Sequence, residues 1–149
     1  MIKIYFENTT EKTLPKLYET LMKRVIRTVV SEHYPNHKFE VNVTICDDET
    51  IHAINKEHRG IDRPTDVLSF PFYDFDNPEV MTLLGDIIIS YDTAYRRAEE
   101  YGPSPKSEFC FLSAHSALHL LGYDHETDDE REVMESKQRE ILDKLGIKR

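Results

Sequence analysis

A chain of 149 residues, 39% hydrophobic and 32% charged, is neither membrane-like nor disordered in bulk and can bury one core without staples. Its apolar runs span a few residues, against roughly 20 for a membrane-crossing helix. The net charge of −9 argues against a surface that grips nucleic acid all over but allows a local basic patch: acid collects at 74–79 and 126–132, while Lys56, Arg59, Arg63, Arg96, Arg97 and Lys106 gather mid-chain.

Met1 opens directly into Ile2-Lys3-Ile4-Tyr5-Phe6, an alternating β-branched strand with no export-signal pattern, so the expected location is the cytoplasm. After Thr13, Leu14, Leu17, Leu21, Val25 and Val29 recur every three or four residues, a helix with Pro15 in its first turn that ends near His33–Asn36. Residues 39–45 alternate as a strand with one wet face. Asp47 or Asp48 can cap a short helix through Ile51, Ile54 and Asn55. Arg59 to Thr65 is a loop by its Gly and Pro content, Val67 to Phe72 a strand, and an acidic loop with a proline follows.

Gly85 to Ser90 is nearly continuous apolar sequence, a central strand covered on both faces. Tyr91–Tyr101 is helical and closed by Gly102-Pro103. Lys106–Leu121 is a helix stopped by Gly122, and Thr127 starts a last helix reaching Leu145-Gly146. Cys46 and Cys110 sit among apolar neighbours and read as buried, inert thiols. No repeat or linker divides the chain, so the expectation is one domain over 1–149. Its fold class is α+β, a small mixed sheet of about four strands packed with helices. No glycine-rich phosphate loop follows a strand, which removes the common nucleotide-binding readings.

The chemistry lies in His115-Ser116-Ala117-Leu118-His119-Leu120-Leu121-Gly122-Tyr123-Asp124-His125. Four residues apart on a helix, His115 and His119 share one face. Gly122 can take the left-handed conformation that ends the helix and lets the turn bring His125 in as a third ligand. Three protein ligands leave the fourth position of a tetrahedral ion to solvent, the catalytic arrangement for zinc. Seven histidines in 149 positions would give this spacing in about one chain in 100, and in roughly one in 3,000 with the glycine required. The form H-x-x-x-H-x-x-G-x-x-H has metzincin spacing, but Ser116 stands where those proteases carry their general-base glutamate.

Three blocks resemble the YbeY family of bacterial rRNA-maturation endoribonucleases: Asn55-Lys56-Glu57-His58-Arg59 with Pro64 to Pro71 (PTDVLSFP), Leu84 to Ser90 (LGDIIIS), and the histidine segment, which departs from the family's HGxLHLxGYDH at Ser116. The resemblance covers essentially the whole chain. It implies one Zn²⁺ on His115, His119 and His125, a functionally important arginine at Arg59, and cleavage of single-stranded RNA. It also implies work on ribosomal RNA ends, including the 3′ end of the small-subunit RNA, and in ribosome quality control, with the ribosome or its proteins as partners. A guanidinium suits such a role, because it pairs with phosphate oxygens bidentately and offsets charge growing in the transition state.

Asp66, Asp86 and Asp124 could each orient a ligand histidine or simply cap and bridge loops. His52 and His58 lack ligand spacing and should face solvent. Two alternatives stay open: a metallopeptidase-like hydrolase using Glu57 or Asp86 as base, and a ribosome-assembly factor whose metal only braces the fold.

Overall fold

The computed structural model describes residues 2–78 and 82–148. Its elements are β1 (Ile2–Asn8), α1 (Lys16–His33), β2 (Phe39–Cys46), α2 (Asp48–Arg59), β3 (Val67–Pro71), β4 (Leu83–Ser90), α3 (Tyr91–Tyr101), α4 (Pro105–Leu120) and α5 (Asp128–Lys144). They follow the expected order. The acidic loop after β3 runs on to Glu79, which lies outside the described residues.

One four-stranded sheet has the order β1-β2-β4-β3, parallel except for the antiparallel edge strand β3. This is the mixed sheet expected. Alternation sets its faces: Phe39, Val41, Val43 and Ile45 of β2 are buried, and so are Ile87 and Ile89 of β4, where they join the main core with Met22, Ile26, Phe109, Leu112 and Leu118. On the opposite face Ile88 packs with Ile51 of α2, Cys46 and Leu68. Part of β4 is therefore covered on both sides, as its unbroken apolar run requires.

The local signals act largely where expected. Asp47, not Asp48, caps α2, its carboxylate accepting the Thr50 N–H at 2.8 Å. Asp48 instead crosses to α3, accepting from the hydroxyls of Ser90 (2.6 Å) and Thr93 (2.7 Å) and from Arg96 (2.8 Å). Pro15 lies one residue before α1 in extended backbone and not in its first turn. Thr127 and Glu130 form a reciprocal capping box at the start of α5. Cys46 and Cys110 are buried and unpaired, and burial pushes their thiols up to about 12 and about 11.

α4 differs from the other helices. Phe109, Cys110, Leu112, Ala114, Ala117, Leu118 and Leu120 leave it no polar stripe. A helix apolar all round belongs inside a core, and α4 packs against α1, α3, α5, β3 and β4 together. Its end sits tightly on the sheet. A Cβ at Gly85 would meet the Phe70 carbonyl oxygen inside van der Waals contact and Leu120 Cδ2 at 2.6 Å. Among the described residues no helix is long and apolar enough to cross a membrane.

Candidate metal centre

His115 and His119 emerge one turn apart near the end of α4. The helix then closes as its sequence demands: Gly122 takes φ 103°, its N–H donates to His119 O at 3.0 Å, and the Tyr123 N–H reaches back to Leu118 O at 3.1 Å. That paired closure is a Schellman motif. It turns the chain back on itself and swings His125 over the two helical rings. One ligand nitrogen from each histidine lies within 4.8 Å of the other two. The ring centroids stand 4.8 Å (His115–His119), 5.0 Å (His119–His125) and 5.5 Å (His115–His125) apart.

The electrostatics keep protons off two of the rings. Burial, then the neighbouring rings of His119 and His125, push His115 down to about 4; Asp66 and Gln138 oppose this only in part. His119 is lowered too, by burial and by His125, against Asp124 and the Tyr123 backbone. Near pH 7 these two imidazoles are neutral, with lone pairs free to coordinate. The donor set fits one borderline metal ion: three imidazole nitrogens, with two rings half-buried and His125 exposed on the solvent side.

Beside the trio opens a cleft of about 320 Å³ lined by Asp66, Arg97, Phe111, Leu112, His115, His125, Arg131, Met134, Glu135 and Gln138. Of the carboxylates considered from sequence, Asp66 lies here. Asp124 instead accepts the His125 backbone N–H at 2.8 Å, pinning the turn, and its charge supports His119. Asp86 accepts from Asn42 Nδ2 at 2.9 Å on the other face of the sheet, in a groove with Tyr5 and Thr44. Arg59 is the exposed last residue of α2, 3.5 Å from Asn55 Oδ1, and does not line the cleft. His58 is exposed against the Phe70 ring; His52 is half-buried with Nε2 2.7 Å from Asp62 Oδ1.

Comparison with known proteins settles the ancestry. A family profile described as "Endoribonuclease YbeY" matches residues 3–146. The chain belongs to the YbeY endoribonuclease family. It is 46% identical to the Endoribonuclease YbeY of Agathobacter rectalis, covering 99% of this chain and all of the relative. It is 42% identical to that of Lachnoclostridium phytofermentans, covering 98% and 99%. A solution structure of a Thermotoga maritima protein superposes with a TM-score of 0.61 at 28% identity, covering 97% of this chain and 91% of that one. YbeY membership makes the chain an RNA-cleaving hydrolase.

Sequence reasoning missed Gln138. This α5 side chain is 2% exposed, lines the cleft with His115 and donates from Nε2 to Phe111 O at 3.2 Å. Nothing in the spacing marks a glutamine 23 residues beyond its histidine. Arg131 was hidden likewise, inside an acidic run.

Proposed function

We propose that this single domain, residues 1–149, is a zinc-dependent endoribonuclease that cuts single-stranded RNA in the cytoplasm, maturing the 3′ end of the small-subunit ribosomal RNA and serving ribosome quality control, with the ribosome or its proteins as partners. The observation that carries the reading is the convergence of the His115, His119 and His125 rings beside an open cleft, in a YbeY family member. His115, His119 and His125 would hold one Zn²⁺. A zinc ion so held supplies Lewis acidity and makes water acidic enough to react near neutral pH.

The chain's own groups do the rest. α4 and its glycine-closed turn hold the three rings in register without cost at the moment of reaction. Gln138 orients His115, and the Asp124–His125 contact fixes the turn. Arg59, on the rim of a Gly- and Pro-bearing loop, is proposed to meet the phosphate as a planar, permanently charged fork. Glu57 and Asp86, the bases considered for a peptidase, do not line the cleft.

The test pairs metal analysis of purified protein with cleavage of single-stranded RNA by wild type and His119→Ala. One zinc per chain with RNA cut by the wild type, and metal and cleavage lost together in the variant, is the expected result. Wild type carrying metal yet leaving RNA intact while cutting peptides would overturn the reading. An unfolded His115→Ala variant together with RNA-inert, metal-loaded wild type would favour a metal that only braces the fold.

A further inference from the structure

The cleft beside the histidines has two guanidiniums in its wall, Arg97 and Arg131. Arg97 comes from α3 and Arg131 from the first turn of α5, helices that both pack on α4. The adjacent Arg96 is locked into the fold by Asp48 (2.8 Å) and Thr93 (3.0 Å). Arg97 is held loosely, with Nε 3.5 Å from Asp66 Oδ2 and a side chain 45% exposed. Arg131 pairs with Asp128, which is 92% exposed.

Neither pairing accounts for the placement of these residues. The exposed Arg131–Asp128 pair contributes about 0–1 kcal/mol, and Arg97 makes one long contact to an Asp66 carboxylate that is 19% exposed. A cation in the first turn of a helix also works against the dipole, which favours acid there. Arg131 can therefore exchange its carboxylate for a better anion at little cost, and Arg97 can turn to one while Asp66 keeps the Val67 N–H at 2.8 Å. A phosphodiester is that anion, since a guanidinium engages two of its oxygens at once. The cleft wall also carries the carboxylates of Asp66 and Glu135, so two positive and two negative side chains face each other. A divalent ion held by the histidines would tip that balance positive in a protein whose net charge is −9.

We propose that Arg97 and Arg131 grip the backbone phosphates of the single-stranded RNA that flank the bond to be cut, and so set the path of the strand past the histidines. The assignment rests on the endoribonuclease reading above. Arg97 and Arg131 bind substrate; they do not touch the metal ligands' protons. Arg59, outside this wall, acts separately.

The experiment is steady-state cleavage of a labelled single-stranded RNA oligonucleotide by metal-loaded protein across a range of salt concentrations. Wild type is compared with the double variant Arg97→Gln/Arg131→Gln, with Arg97→Lys/Arg131→Lys, and with Arg24→Gln on the exposed side of α1. Metal content and thermal midpoint are recorded for each. The glutamine pair should raise KM at least tenfold with kcat within about threefold. It should also make log kcat/KM fall less steeply with log salt, by about 1.4 for two phosphate contacts on a single strand. The lysine pair should recover most of the KM, and Arg24→Gln should match wild type. A double glutamine variant with wild-type KM and salt slope overturns the proposal, and so does one whose loss follows from lost metal or a lowered midpoint. Loaded wild type that leaves RNA intact instead overturns the endoribonuclease reading beneath it, before any variant is compared.

Discussion

His33 Nε2 lies 2.7 Å from the hydroxyl of Tyr123, ninety positions along the chain, with the two rings edge to face at 5.4 Å. The other ring nitrogen, Nδ1, is 2.7 Å from the Val29 carbonyl oxygen. A carbonyl only accepts, so Nδ1 carries a proton and, in the neutral ring, Nε2 accepts from the tyrosine O–H. The end of α1 thereby anchors the turn that carries His125. Tyr123→Phe keeps the ring contact but removes the hydrogen bond, and should cost about 1–2 kcal/mol. Thermal unfolding should show a midpoint lower by a few degrees. A double-mutant cycle with His33→Ala checks the coupling: strictly additive losses would mean the two side chains do not support each other.

Gln138, beside His115 in the cleft wall, is placed to hold the orientation of that ring. Gln138→Leu keeps the volume and the burial but removes the polar amide from beside His115. Loss of such a partner typically weakens metal binding about 10–100-fold. The prediction is a metal dissociation constant raised into that range, measured by competition with a chromogenic chelator, with far-UV circular dichroism unchanged. Because a bound ion stabilises only the folded chain, chelating the metal should lower the wild-type midpoint by more than the variant's. Equal affinities in the two proteins would remove Gln138 from the centre.

Ser116 occupies the position where a glycine is usual in the histidine signature, and its Oγ is buried with no hydrogen-bond partner among the described residues. An unsatisfied buried hydroxyl costs about 1–3 kcal/mol. Ser116→Ala deletes it and keeps the helix, so denaturant unfolding should show a gain of about 1 kcal/mol or more. Ser116→Gly should gain less, because glycine in a helix interior costs about 1 kcal/mol relative to alanine. Destabilisation by the alanine change would mean the hydroxyl is satisfied in solution.

Burial pushes the Asp48 carboxyl up, but hydrogen bonds from Ser90 and Thr93 and the Arg96 guanidinium outweigh it, and the net shift is below the ordinary 3.8. A carboxylate held down in the folded state adds stability that is complete above its unfolded pKa and disappears as pH falls through the folded one. Stability attributable to Asp48 should therefore be intact at pH 6 and be lost below pH about 4. Asp48→Asn should be less stable than wild type at pH 6 and closer to it at pH 2.5. Parallel acid-unfolding curves for the two proteins would contradict this.

How much of this was legible in the sequence follows from how local each determinant is. The spacing of His115 and His119, the glycine that closes α4 and the start of α5 at Thr127 act within a few residues, so periodicity and turn chemistry were enough to find them. The strands alternate in the same local way, which made the mixed sheet and the α+β class readable. The YbeY resemblance was legible for a related reason, since its motifs are short contiguous runs.

Contacts between distant segments were not legible. Gln138 comes beside His115 because α5 packs on α4; Arg97 and Arg131 come to one cleft from α3 and α5, 34 positions apart; His33 finds Tyr123 only once α1 lies against the turn. Asp47 and Asp48 both read as possible N-caps from their neighbours, and tertiary packing gives Asp48 to α3 and leaves the cap to Asp47. The sequence alone determined which side chains could hold a metal, because a helix and its closing turn set their spacing. Only the tertiary structure decided which groups surround that metal, because burial and charge pairing depend on which helices meet.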